Sequence, residues 1–139
     1  MRPVVLDCSV TLAWCFEYET SSYSELSLDY VQKHTALVPP LWLSELTNAL
    51  LSAQRKSRID RDGALLFLEK VSRLPIRIAS LSSKEYFSDI FELAYKESLT
   101  SYDATYLYLA KREKSPLATL DEELRVAGRK AKLPKLALR

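Results

Sequence analysis

Apolar residues along this chain fall into short β-branched runs separated by longer stretches of helical spacing. Val4-Val5-Leu6 is one such run, stopped by Asp7, and Ser9 then opens a stretch with helical character from Val10 to Trp14. Tyr23 to Lys33 reads as a helix, and Ala36-Leu37-Val38 reads as a buried strand closed by Pro39-Pro40, a pair suited to starting the next helix. There Trp42, Leu46, Ala49, Leu50 and Ala53 recur at i, i+4, i+7, i+8 and i+11, one wide apolar face on a helix running to about Arg55. Asp60 supplies a cap for a helix to about Leu74, and Ile76-Arg77-Ile78-Ala79 alternates like a strand. Ser83 to Glu97 carries Phe87, Phe91, Ala94 and Tyr95 on one side, and Ser101 to Lys111 offers Leu107 and Ala110 as the inner face of another helix. Leu117-Ala118-Thr119-Leu120 is the last predicted strand, before a helix from about Asp121 to Lys132.

Strands alternating with helices predict an α/β fold with a mainly parallel sheet covered on both faces. A length of 139 residues suits one domain, 1–139, able to bury a core without disulfides or a structural metal. Composition narrows the class further: 47% hydrophobic and 27% charged, with 20 basic against 18 acidic residues, is the make-up of an ordinary globular protein. Charge becomes informative through its distribution, because six basic residues (Arg125, Arg129, Lys130, Lys132, Lys135, Arg139) and two acidic ones occupy the stretch from Glu122 onward. That stretch suits phosphates or simply water. Cys8 and Cys15 have no neighbouring His or second Cys pair, which argues for reduced thiols rather than a zinc site. The N-terminal apolar run is broken at once by Asp7 and no stretch has the length of a membrane span, so a cytoplasmic location is expected.

Open α/β sheets gather ligands at the carboxyl ends of their strands. Acids recur at those places: Asp7 ends the first strand, Glu45 lies in the first turns after the second, Asp103 opens a helix and Asp121 follows the last strand. Neighbouring carboxylates oppose one another's ionisation unless protons or a cation intervene. A hard divalent cation resolves the conflict, and such ions activate water and stabilise charge on a phosphate, which points to phosphodiester hydrolysis. Helix capping competes for three of these acids, through Asp7 itself, a Thr100-x-x-Asp103 box, and Asp121 or a Thr119-x-x-Glu122 box. Glu45 is harder to explain away, since Trp42, Leu46, Ala49 and Leu50 border it, although a half-buried Glu often pairs with a Lys or Arg.

Four segments taken in order, Val5-Leu6-Asp7-Cys8-Ser9, Ser44-Glu45-Leu46-Thr47-Asn48-Ala49-Leu50, Ser101-Tyr102-Asp103-Ala104-Thr105-Tyr106-Leu107 and Ala118-Thr119-Leu120-Asp121-Glu122-Glu123-Leu124, resemble the PIN-domain family, and especially the VapC-type ribonuclease toxins of VapBC toxin-antitoxin pairs. The resemblance implies a three-layer fold with a central sheet of four to five strands flanked by helices. It also implies an endoribonuclease that binds Mg²⁺ or Mn²⁺ at Asp7, Glu45, Asp103 and Asp121, with Ser9, Asn48 and Thr119 at supporting positions. An RNA substrate, a cognate antitoxin protein and a homodimer are implied in the same way. Simple capping or turn bonding explains the hydroxyls of Ser9 and Thr119 equally well.

Arg55, Lys56, Arg58 and Arg61 form a basic patch after the Glu45 helix and are candidates for positioning an RNA backbone, or a solvated helix end favoured by its dipole. With only Gly63 and Gly128 there is no phosphate-cradling loop, and the single His34 reads as a surface residue between helix and strand. Two alternatives remain: a PIN-like module that binds RNA or protein without cleaving, and an aspartyl-phosphate phosphatase or receiver. Against the phosphatase, Ser9 stands where an Asp-x-Asp pattern requires a second Asp, and against the receiver no lysine follows a late strand.

Overall fold

A computed structural model describes residues 2–16 and 19–136. Arg139, counted above in the basic C-terminal stretch, lies outside the described residues. The chain runs β1 (Val4–Leu6), α1 (Cys8–Cys15), α2 (Ser22–Lys33), β2 (Ala36–Val38), α3 (Pro40–Arg55), α4 (Arg61–Ser72), β3 (Ile76–Ile78), a π-helical segment (Glu85–Ile90), α5 (Phe91–Glu97), α6 (Ser101–Glu113), β4 (Leu117–Ala118) and α7 (Glu122–Lys130).

The strands form a four-stranded sheet in the order β3-β2-β1-β4, and every pairing is parallel. Its register sets Val5 opposite both Leu37 and Leu117, so the two inner strands are covered on both faces and every residue of β1 and β2 is buried. That burial is why both read as unbroken apolar runs rather than alternating ones. Helices complete a three-layer α/β arrangement, with α1 against α2 and α3, and with α6 against β1, α5 and α7. Trp42, Leu46, Leu50 and Ala53 bury the predicted face of α3, and the Trp42 indole donates to the Thr11 hydroxyl at 3.3 Å. Among the described residues no helix is long and apolar enough to cross a membrane.

Two predicted elements come out differently. The last strand stops at Ala118 because the next amides are taken by side chains: Thr119 N–H donates to the Tyr23 hydroxyl and Leu120 N–H to Ser9 Oγ. The helix predicted over 83–97 contains the π-helical turn before α5, and its aromatic side faces outward, with Phe87 83% and Tyr95 79% exposed. Ile90 is the buried residue of that turn. A π-turn re-registers a helix, and here the Glu85 carboxylate holds its start by accepting from the Ser82 amide, the Tyr108 hydroxyl and Arg112. His34 also departs from a plain surface role, because it closes α2 half-buried with its ring 4.5 Å from that of Tyr30.

Candidate active site

A parallel sheet points all its strand ends the same way, so Asp7 after β1 and Thr119 after β4 emerge side by side at the carboxyl edge. Asp7 occupies the N-cap position of α1 but makes no side-chain cap bond. Its Oδ2 accepts instead from Ser9 Oγ and from Thr119 Oγ1, each at 2.7 Å. Thr119 Oγ1 also accepts from the Asp121 amide at 3.0 Å, and Ser9 Oγ from the Leu120 amide at 3.0 Å. The two hydroxyls therefore lash the buried carboxylate of one strand to the backbone that leaves the other.

The remaining acids approach the same place from three helices. Glu45, half-buried on α3, accepts from the Tyr106 hydroxyl of α6 and not from a Lys or Arg, the competing explanation for such a position. Asp103 lies in the first turn of α6, where Thr100 Oγ1 accepts the Asp103 amide, so the hydroxyl half of the predicted box forms while the carboxylate is left for other use. Asp121 does cap α7, its Oδ2 accepting from the Leu124 amide at 3.1 Å.

Electrostatics tie the group together. Burial pushes the Asp7 carboxyl up, partly offset by the Thr119 and Ser9 hydroxyls. Burial also raises Glu45, against the opposing bond from Tyr106. Asp103 is pushed up to about 6, first by burial and then by the charges of Asp121, Asp7, Glu45 and Glu123. Among the described residues none of these five acids has a Lys, Arg or His within ion-pair distance. The carboxylates of Asp7, Glu45, Asp103 and Asp121, without cation partners, suit a hard cation, which prefers carboxylates and water and keeps several waters of its own. No three His, Cys, Asp or Glu side chains among the described residues stand close enough to hold an ion directly as they are placed. The donor chemistry therefore fits such an ion, and ligation requires these side chains to draw together or to bind through water.

Other predicted positions lie apart from this network. Asn48 is exposed on α3, one turn after Glu45. Arg55 and Lys56 are exposed at the end of α3, whereas Arg58 is occupied by Glu19 at 2.7 Å and by the face of Phe16, and Arg61 stands 3.8 Å from Asp62. Cys8 and Cys15 are free thiols, and burial pushes Cys8 up to about 12. Three contributors carried no sequence signal of their role: Tyr106, which holds Glu45; Tyr23, which receives the Thr119 amide; and Arg125, which lies 5.4 Å over the Tyr23 ring and donates to the Thr119 carbonyl.

A family model described as the PIN domain matches residues 4–130. The chain is 31% identical over 121 residues to Ribonuclease VapC3 of Pyrobaculum aerophilum, a match covering 87% of this chain and 91% of that protein. Its fold is similar to the crystal structure of PAE2754 from Pyrobaculum aerophilum, with a TM-score of 0.70 and 25% identity, over 91% of this chain and 86% of that one. With a family model spanning nearly the whole chain, and a relative matched along most of both lengths, the chain belongs to the PIN-domain family.

Proposed function

We propose that this chain is a single-domain, VapC-type ribonuclease toxin that hydrolyses RNA phosphodiester bonds with Mg²⁺ or Mn²⁺ held by Asp7, Glu45, Asp103 and Asp121. The observation that carries the reading is the set of acids without cation partners at the carboxyl edge of the sheet, in a chain similar along most of its length to a protein named a ribonuclease. PIN-domain ribonucleases depend in general on divalent metal. When bound, such an ion polarises the phosphate and lowers the pKa of a coordinated water. Ser9 and Thr119 fix the Asp7 carboxylate by donating to one of its oxygens, which leaves its orientation independent of the substrate. Tyr106 does the same for Glu45 from the opposite helix.

A toxin of this type requires a cognate antitoxin in the same cytoplasm, and the reading includes one, together with a homodimer. Purified chain incubated with single-stranded and structured RNAs in Mg²⁺, Mn²⁺ or EDTA, beside an Asp7→Asn variant, tests the proposal. The expected result is cleavage by the wild type with either ion and none in EDTA. Cleavage that persists in EDTA, or that Asp7→Asn leaves intact, overturns it.

A further inference from the structure

On the β4 side of the acid cluster a cleft of about 710 Å³ runs between α7 and the segment that follows it. Its charged lining is entirely basic: Arg125, Arg129, Lys132 and Lys135, over an apolar floor that includes Leu117 and Leu133. The end of α7 builds the arrangement. Lys132 adopts a left-handed backbone (φ 57°), its amide bonds the Arg129 carbonyl and the Leu133 amide returns to Gly128, which folds the chain back so that Lys132 and Lys135 face the same cleft as the arginines. Among the described residues Lys132 and Lys135 have no ion-pair partner, and Arg129 has only Glu122 at 3.9 Å, with both side chains mostly exposed. These are cations the fold places together without neutralising them.

The cleft is joined to the candidate active site at Thr119. Thr119 lines it, Arg125 donates to the Thr119 carbonyl, and the Thr119 hydroxyl donates to Asp7. A polyanionic substrate approaching the acid cluster is repelled by it, so a strand must be attached through cations nearby. We infer that this cleft binds the phosphate backbone of single-stranded RNA next to the scissile phosphodiester, with Arg129, Lys132 and Lys135 as its contacts. The inference rests on the ribonuclease reading. An acidic protein segment would also meet the four cations, but it would gain nothing from their junction with the acids, whereas an RNA strand needs the two side by side.

The test is the salt dependence of binding, which counts phosphate contacts without reference to cleavage. A fluorescent ten-nucleotide oligo-U and a ten-nucleotide oligo-A are titrated by anisotropy in EDTA at several salt concentrations. The proteins are wild type, a Lys132→Asn/Lys135→Gln double variant and an Arg77→Ala control on the far edge strand β3. Asn tolerates the left-handed backbone at position 132, and both lysines are exposed, so the melting temperature is expected to stay unchanged. Each single-strand phosphate contact contributes about 0.7 to the slope of log K against log salt, so the double variant should lose about 1.4, with roughly tenfold weaker binding to both sequences. Arg77→Ala should change neither. An unchanged slope in the double variant, or an equal loss in Arg77→Ala, overturns the inference. So does competition in which an oligo-glutamate peptide, and not RNA, responds to the two lysines. A wild type that fails to cleave with Mn²⁺ while the slope still falls would remove the hydrolysis and leave the cleft. Normal cleavage with an unaltered slope would remove the cleft alone.

Discussion

Two hydroxyls donating to a single oxygen of a buried carboxylate restrict that side chain more than any sequence pattern specifies. Ser9 and Thr119 approach Asp7 from positions 2 and 112 residues away, so one bond is local and the other exists only because β1 pairs with β4. Thr119→Val keeps the shape but deletes the donor to Asp7 and the acceptor for the Asp121 amide. Such supporting groups typically contribute roughly 10–100-fold, so Thr119→Val is expected to cut RNA cleavage by about that factor while Thr119→Ser preserves most of it. Equal rates for Thr119→Val and wild type would show that the hydroxyl serves the fold alone. Asp7→Asn should abolish more activity than that, yet without metal it should melt no lower than wild type, because the like-charge repulsion on Asp103 and Glu45 loses one source. A Tm several degrees below wild type in EDTA would contradict this account of the cluster. The residue scale is also where the sequence says least about Tyr106: its ring fits an apolar helix face, and only the folded placement of α6 and α3 brings its hydroxyl to Glu45.

Elements follow the local sequence closely where caps and turn residues mark them. α3 starts at Pro40, where a missing amide costs nothing, and α4 starts after Asp60, whose carboxylate accepts from the Gly63 amide at 2.7 Å. Asp60→Ala should lower stability by about 1 kcal/mol and Asp60→Asn by much less, since Asn caps about as well. Urea unfolding of the two variants measures it, and equal midpoints would deny the cap its role. Gly63 suits this cap because a Cβ there would stand 3.0 Å from the Asp60 oxygen. Where competing bonds exist, local pattern loses. β4 stops two residues short of its predicted end because Ser9 and Tyr23 take the amides that would otherwise continue the ladder. The 83–97 segment keeps its helical length but turns Phe87, Phe91 and Tyr95 to solvent, since periodicity defines a stripe without saying which stripe is buried.

At the scale of the whole molecule the raised carboxyls of the acid cluster tie stability to pH, and the proposed metal ties it to the ion as well. For Asp103 the folded value near 6 lies above the ordinary 3.8, so the native state holds that proton after the unfolded chain has released it. Stability without metal therefore falls as pH rises from about 4 to about 6, and Asp7 and Glu45, both raised, act in the same direction. Glu85 works in a lower window: its carboxyl is held at about 2 by the Ser82 amide, Tyr108 and Arg112, so its contribution is present above 4.5 and is lost as pH falls toward 2. The expected melting curves in EDTA are highest near pH 4 to 5 and lower at pH 7.5, and millimolar Mn²⁺ should raise the pH 7.5 value most, because an ion that binds only the folded cluster stabilises it. A wild-type melting temperature at pH 7.5 indifferent to Mn²⁺ would remove the metal from the account.

What the sequence by itself determined is the set of strands and helices, their alternation into a parallel α/β sheet, and the four acids after strand ends or at helix starts. Each of these depends on residues within a few positions of one another: β-branched runs, an apolar face at helical spacing, prolines and caps. Tertiary structure alone decided the rest. It chose which oxygen of Asp7 two hydroxyls share, gave Glu45 a tyrosine rather than a cation, turned an aromatic stripe outward, and set a basic cleft against Thr119. Those outcomes join residues as far apart as Asp7 and Thr119, or Glu45 and Tyr106. Their distances are fixed by strand order and by where the helices lie over the sheet, which no local window of sequence contains.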